Sequence, residues 1–320
     1  MKTILILLLT LFLGACGDAN PPLKTWHLVP GGITAAAVAD NHALLASIDQ
    51  GAQWWQLKPK KLLHTFRHGG SEPQEMIAVA VTADGRFAVT TDRGGLAWWD
   101  TRSGRPLASW ALAGIQTLTL SADGQWALIG LEDRAVYFSL RHGKTRFAFS
   151  HDRPVKTVAL DRQGRLALTG SDDGTAKLWD LRTGTLRHTW KQYGKLAAVV
   201  LSPRGTYALT NPLLGPIQVW KTATGKLKRR LGPRYITVTR AAFTPKESLL
   251  ATGHPSQGIK LWSLRRGKLL RQFLPRQAGL LKPTSAPVLA LRFVRGSRQL
   301  LSATSDGSVQ LWSIRGKKKK

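Results

Sequence analysis

Val155-Lys-Thr-Val-Ala-Leu160, Arg165-Leu-Ala-Leu-Thr-Gly170, Thr175-Ala-Lys-Leu-Trp-Asp180 and Leu186-Arg-His-Thr-Trp190 follow one another with only short turns between them. Each run is short, alternating or apolar, and bounded by Gly, Asp or Thr, so the four read as strands a, b, c and d of one antiparallel unit, with Gln163-Gly164 turning a into b. The aromatic residue closing strand c recurs outward from this unit as Trp55, Trp99, Phe138, Trp179, Trp220, Trp262 and Trp312, at spacings of 44, 39, 41, 41, 42 and 50. A period near 40 with four strands per unit predicts an all-β, seven-bladed β-propeller of four-stranded antiparallel blades. One such sheet cannot bury both its faces, whereas a ring packs every sheet between two neighbours.

The stretch Ser171-Asp-Asp-Gly-Thr-Ala-Lys-Leu-Trp-Asp180 resembles the signature of the WD-repeat family, as does Thr304-Ser-Asp-Gly-Ser-Val-Gln-Leu-Trp-Ser313. His151, four residues before strand a, occupies the family's histidine position. The resemblance implies that His151, Thr169, Asp173 and Trp179 form a buried hydrogen-bonded tetrad tying the strands of the fourth unit together. Other units depart from the pattern: Phe138 replaces Trp in the third, most lack the histidine, and the first, residues 33–66, keeps only Asp49 and Trp55. These units are expected to rely on packing. The resemblance covers about residues 24–315 and speaks for the fold far more than for the function.

The chain ends also carry a prediction. The last unit stops after strand c, while Thr25-Trp-His-Leu28 resembles an orphan strand d. Pairing the two would complete the seventh blade and remove an exposed edge.

Residues 1–15 read as a targeting segment. Lys2 precedes an apolar run of ten residues, 4–13, which at 1.5 Å each spans about half a bilayer core and is therefore a signal h-region rather than a membrane span. Leu13-Gly14-Ala15-Cys16 resembles the bacterial lipoprotein lipobox, which implies lipid attachment at Cys16. Cys16 is the only Cys, so no disulfide framework exists and acylation would account for an otherwise unpaired thiol in an exported chain. Residues 16–23 then form a tether, 24–316 the propeller and 317–320 a polybasic tail. Gly17 rather than Asp follows the Cys, which in lipoproteins implies the periplasmic face of the outer membrane, with the inner membrane as the alternative.

Lys and Arg number 47 against 18 Asp and Glu, a net charge of +29. Such an excess implies an anionic partner or surface. In an antiparallel blade the a-b and c-d turns share one face of the ring. Those turns and the tail hold 25 of the cations, among them Lys58, Lys60, Lys61, Arg265, Arg266, Lys268, Lys317, Lys318, Lys319 and Lys320. Five acids, Asp40, Asp84, Asp123, Asp161 and Glu247, share that face. The opposite turns hold nine cations and ten acids and are nearly neutral. The tether joins the basic face, so a lipid and a polybasic surface would act together on an anionic membrane.

No carboxylate falls in a strand interior, the eight His show no metal-ligand spacing, and no phosphate-cradling Gly-rich loop opens a helix. The sequence therefore points to no catalytic residue, metal or cofactor. Trp54-Trp55 and Trp98-Trp99 are expected to place one ring between blades and one at the rim. The expected function is a membrane-anchored scaffold that binds envelope protein through the neutral face, with loop 275–287 as the candidate surface. The alternative is binding of an anionic envelope polymer, lipopolysaccharide, peptidoglycan or nucleic acid, by the basic face; nucleic acid is the less favoured, and an enzyme ranks last.

Overall fold

Strand-length runs separated by tight turns leave the backbone one economical arrangement, a meander, and the chain repeats it seven times. The computed structural model describes residues 21–69, 75–256, 258–275 and 286–315. Seven four-stranded antiparallel sheets are formed there, each in the order a-b-c-d from the ring axis outward. Blades one to six span residues 35–66, 78–111, 117–150, 155–191, 196–236 and 240–273. In the clearest unit, strand a is Val155–Leu160, b Leu166–Ser171, c Thr175–Asp180 and d Leu186–Lys191.

Blade seven takes its first three strands from Val288–Val294, Gln299–Thr304 and Ser308–Ser313, and its outermost from Lys24–His27. Trp26 pairs with Val309 and Lys24 with Leu311, so the closing strand lies one residue earlier than the sequence reading placed it. Beyond the ladder, Leu23 N donates to the Leu311 carbonyl at 2.6 Å and Leu28 N to the Gly307 carbonyl at 3.1 Å. Trp26, Leu28 and Val29 sit in the same apolar cluster as Leu45 and Leu57 of blade one and Leu301 and Leu311 of blade seven. Chain start and chain end are thus locked into one core.

Among the described residues the apolar core is divided into seven clusters, each drawn from two consecutive blades. A repeated aromatic contact marks these junctions. The last ring of strand d stacks or tilts onto the signature ring of the next blade: Phe66 on Trp99 at 4.8 Å, Phe149 on Trp179 at 4.7 Å, Trp190 on Trp220 at 5.3 Å and Phe273 on Trp312 at 5.4 Å. Trp110 meets Phe138 edge-on at 5.3 Å, so Phe replaces Trp there without losing the contact. Each pair contributes about 0.5–1.5 kcal/mol beyond the area it buries.

The tandem tryptophans differ from expectation. Successive side chains of a strand point to opposite faces of the sheet. Trp54 therefore enters the core shared with blade two while Trp55 packs toward blade seven, and Trp98 and Trp99 face blades three and one. Both rings of the second pair are buried. They join blades on two sides rather than leaving one ring at the rim.

Candidate functional site

The polar interior of the blades ties the d-a and b-c turns to the strands. In blade four Trp179 Nε1 donates to Thr169 Oγ1 at 3.0 Å, Thr169 Oγ1 lies 2.7 Å from His151 Nε2, and His151 Nδ1 lies 2.8 Å from Asp173 Oδ2. The four residues named from the sequence are therefore together. One proton assignment satisfies every member: Trp donates to Thr, Thr donates to the imidazole, and the imidazole donates to the carboxylate. Burial holds His151 below its ordinary pKa despite Asp173. Burial pushes the Asp173 carboxyl up, yet hydrogen bonds from Thr175 and His151 outweigh it and bring the group down to about 2.

Blade two carries the same relay, which sequence reasoning missed. Trp99 Nε1 donates to Thr90 Oγ1 at 2.9 Å, Thr90 Oγ1 lies 2.7 Å from His68 Nε2, and His68 Nδ1 lies 2.9 Å from Asp92 Oδ2. His68 stands ten residues before its strand a, Ala78–Val81, where His151 stands four before its own. The longer insertion hid it. Burial again lowers the histidine's pKa, against the pull of Asp92. Blades five and seven keep the first link only, Trp220 to Thr210 at 2.8 Å and Trp312 to Ser302 at 2.9 Å. Trp55 in blade one donates to Gln53 instead. These networks are structural; they leave the faces of the ring as candidate binding surfaces.

On the basic face Lys58, Lys60, Lys61, Arg265, Arg266 and Lys268 are all exposed on c-d turns. Lys60 is partly engaged: its Nζ donates to the His27 carbonyl at 3.1 Å and lies 5.9 Å from the Trp55 ring. The five acids of this face are consumed by local structure. Asp84 and Asp123 accept from Thr82 and Ser121 and from the turn amides of Arg86 and Gln125. Asp161 is buried and accepts the amides of Arg165 and Leu166, Glu247 accepts the amide of Arg204, and Asp40 pairs with Arg292. All five acids are engaged in turn hydrogen bonds or an ion pair, and the six named cations point to solvent, so the formal charge excess of this face is displayed at its surface.

The opposite face bears a feature not legible in the charges. Where blades four and five meet, Tyr193 is 97% exposed, Leu214 68% and Tyr235 67%, with Leu213 beside them. They border a groove of about 540 Å³ with Lys191 and Lys195 at its edge. Lys195 pairs with Asp172 at 3.4 Å. Two amides of the groove wall, Gln192 Nε2 and Gln218 Oε1, are shielded from water without a hydrogen-bond partner. Tyr193 sits on a d-a turn and Leu213-Leu214 on a b-c turn, so the cluster belongs to the near-neutral face.

Cys16, Lys317, Lys318, Lys319 and Lys320 lie outside the described residues, as does most of loop 275–287. Among the described residues no group of three or more His, Cys, Asp and Glu is placed to hold a metal ion.

A ring of seven four-stranded antiparallel blades defines the fold as a seven-bladed β-propeller, and two of its blades carry Trp-Thr-His-Asp relays. The family model of the WD domain, G-beta repeat, matches residues 143–180 and 277–313. The first match runs from strand d of blade three through strand c of blade four, and the second ends with strand c of blade seven. No curated protein matches this chain.

Proposed function

We propose that the protein is a non-catalytic interaction scaffold of the bacterial cell envelope, anchored by a lipid on Cys16, with its basic face on anionic membrane and its opposite face presented to a protein partner. The observation that carries this reading is the exposed cluster of Tyr193, Leu213, Leu214 and Tyr235 on the face turned away from the exposed lysines and arginines. A clustered apolar surface of this kind costs solubility and is best explained by a partner that covers it. The occupant that fits is an extended segment of an envelope protein with an apolar side chain for the groove and an acidic one for Lys191. WD-type propellers serve broadly as protein-interaction platforms, which supports the same reading.

Binding of an anionic envelope polymer is the second reading. It is favoured by the excess of cations over acids on the basic face, where the six named lysines and arginines are exposed.

The test is cross-linking capture from envelope membranes by the lipidated full-length protein. Tyr193→Ser with Leu214→Ser should abolish the captured protein band, while Lys58→Gln, Lys61→Gln, Arg265→Gln and Arg266→Gln together should leave it. The reverse pattern would transfer recognition to the basic face.

A further inference from the structure

Strand a of each blade faces the ring axis, and the channel it lines is divided in two. The compartment toward the near-neutral face holds about 520 Å³. The compartment toward the basic face holds about 280 Å³, and Leu160, Leu201 and Arg292 border both. Arg292 rises from blade seven and reaches the neighbouring turns, its Nε 3.2 Å from Asp40 Oδ1 of blade one and an Nη donating to the Ala83 carbonyl of blade two at 3.3 Å. It forms part of a floor. The larger compartment is consequently a cup that opens on the near-neutral face.

The cup wall has three cations, Lys156, Arg240 and Arg292, and no carboxylate among the described residues. Among the described residues, only Arg292 of the three pairs with an acid. Lys156 Nζ bonds to the neutral Gln116 Oε1 at 2.5 Å, and an Nη of Arg240 donates to the carbonyl of its neighbour Thr239 at 2.7 Å. Arg240 is solvent-exposed within the channel, and the surrounding protein draws its pKa below the ordinary arginine value. Elsewhere the rungs of the wall are mostly Ala, Thr, Val and Leu. Lys156 and Arg240 have no counter-ion among the described residues, and low-dielectric channel walls concentrate their attraction for an incoming anion. Turn lysines at the surface lack such walls, so the net charge of the chain does not explain Lys156 and Arg240.

We propose that the cup is a binding site for a compact polyanion with two carboxylate or phosphate groups, gripped by Lys156 from blade four and Arg240 from blade six. The volume suits a small ligand. Arg240 offers a planar fork for one oxyanion, Lys156 a point charge for the other, and Gln116 and Thr239 lie at the rim for further hydrogen bonds. The polyanion is either free in solution or carried as paired acidic side chains on the tip of a partner loop; the chemistry recognised is the same. This site is independent of the membrane and groove readings, because it uses none of their residues.

Isothermal titration of the full-length protein with pyrophosphate, citrate and a hexaglutamate peptide tests it. Saturable binding of a small polyanion, weakened at least tenfold by Lys156→Gln and by Arg240→Gln and unchanged by Lys58→Gln with Arg265→Gln, is the expected result and identifies a free ligand. The same variant pattern with hexaglutamate alone identifies an acidic loop. Melting of both channel variants should be unchanged or raised, since each removes an uncompensated charge. Binding that survives in the Lys156→Gln, Arg240→Gln double variant, or the absence of saturable binding with all three probes, overturns the proposal.

Discussion

His254 Nε2 lies 3.0 Å from Thr252 Oγ1, two residues back along the same segment of blade six. Trp262 Nε1 donates to that hydroxyl at 2.9 Å and His254 Nδ1 donates to the Thr237 carbonyl at 2.7 Å. Blade six thus completes the Trp-Thr-His relay of blades two and four from the other side, with a histidine on its own b-c turn and a backbone carbonyl where they use a carboxylate. The carbonyl cannot compensate a positive imidazolium as Asp173 could. Burial therefore brings the pKa of His254 down to about 4, Lys260 adding to the effect and the Thr237 bond opposing it.

The sign of the pH dependence follows. A histidine with a folded pKa near 4 and an ordinary unfolded value binds its proton more tightly in the unfolded chain, so stability falls as pH drops from about 6.5 towards 4. The loss due to His254 is roughly 2–3 kcal/mol across that window. His68 and His151, also lowered by burial, act in the same direction. Urea denaturation of wild type and His254→Gln between pH 4 and 7 should show the slope flattened in the variant, although the variant is less stable at pH 7. An unaltered slope would remove His254 as the source.

The shared hydroxyl of each relay gives a second prediction. Thr169→Val and Thr252→Val keep shape but strand both the Trp N–H and a ring nitrogen, costing about 2–3 kcal/mol each. Thr210→Val, in a blade where only the Trp link is present, should cost nearer 1 kcal/mol. Denaturation midpoints that rank the three alike would show that the histidine adds nothing.

How much of this was legible depended on what each feature needs from its neighbours. Ring closure was readable because both halves of blade seven carry their own period-2 pattern, and Trp179 with Asp173 stands in an uninterrupted signature. His68 was not readable, because its place is set by a turn geometry that a longer insertion disguises. His254 was less so: it reaches the same hydroxyl from a position outside the repeat's pattern. The cluster of Tyr193, Leu214 and Tyr235 joins residues from one blade edge and the preceding d-a turn, and the channel cations meet only across the ring. Such juxtapositions arise from closure itself and have no local signal. Charge polarity was legible from turn positions alone, but the hydrogen bonds that hold the acids of the basic face were not.

Closure can be tested at a single backbone position. Gly307 has φ of 78° and passes so close to Val29 that a Cβ would meet the Val29 carbonyl oxygen. Gly307→Ala should lower stability by about 2 kcal/mol or more, combining left-handed backbone strain with displacement of the closing segment. Gly164→Ala, with φ of 66° and open space around it, should cost only about 1 kcal/mol. Equal thermal shifts for the two would mean that residues 24–29 are not held as the ladder indicates.

The lipid anchor is an expectation of the sequence with a direct measurement. Cys16→Ser should abolish incorporation of labelled palmitate and move the protein from the membrane pellet to the soluble periplasmic fraction, with an unchanged melting curve because the ring begins near Lys24. Wild-type protein that incorporates no fatty acid ends the lipoprotein reading.

The orientation of the ring is tested by vesicles. If the exposed turn cations seat it on a membrane, a non-lipidated form should bind vesicles of anionic phospholipid and ignore neutral ones. Each cation near the surface contributes about 1 kcal/mol. Five of the six named turn cations are unencumbered, whereas Lys60 is bonded to the His27 carbonyl, so Lys60→Gln alone should weaken binding less than Lys61→Gln. Changing Lys58, Lys60, Lys61, Arg265, Arg266 and Lys268 together to Gln should reduce affinity by several orders of magnitude at low salt. Raising ionic strength from about 0.05 to 0.5 M should do much the same to wild type, because the screening length shrinks below the spacing of charge and lipid. Sedimentation with vesicles measures both effects. A six-fold Gln variant that still sediments with anionic vesicles while losing its partner would place the basic face against that partner instead.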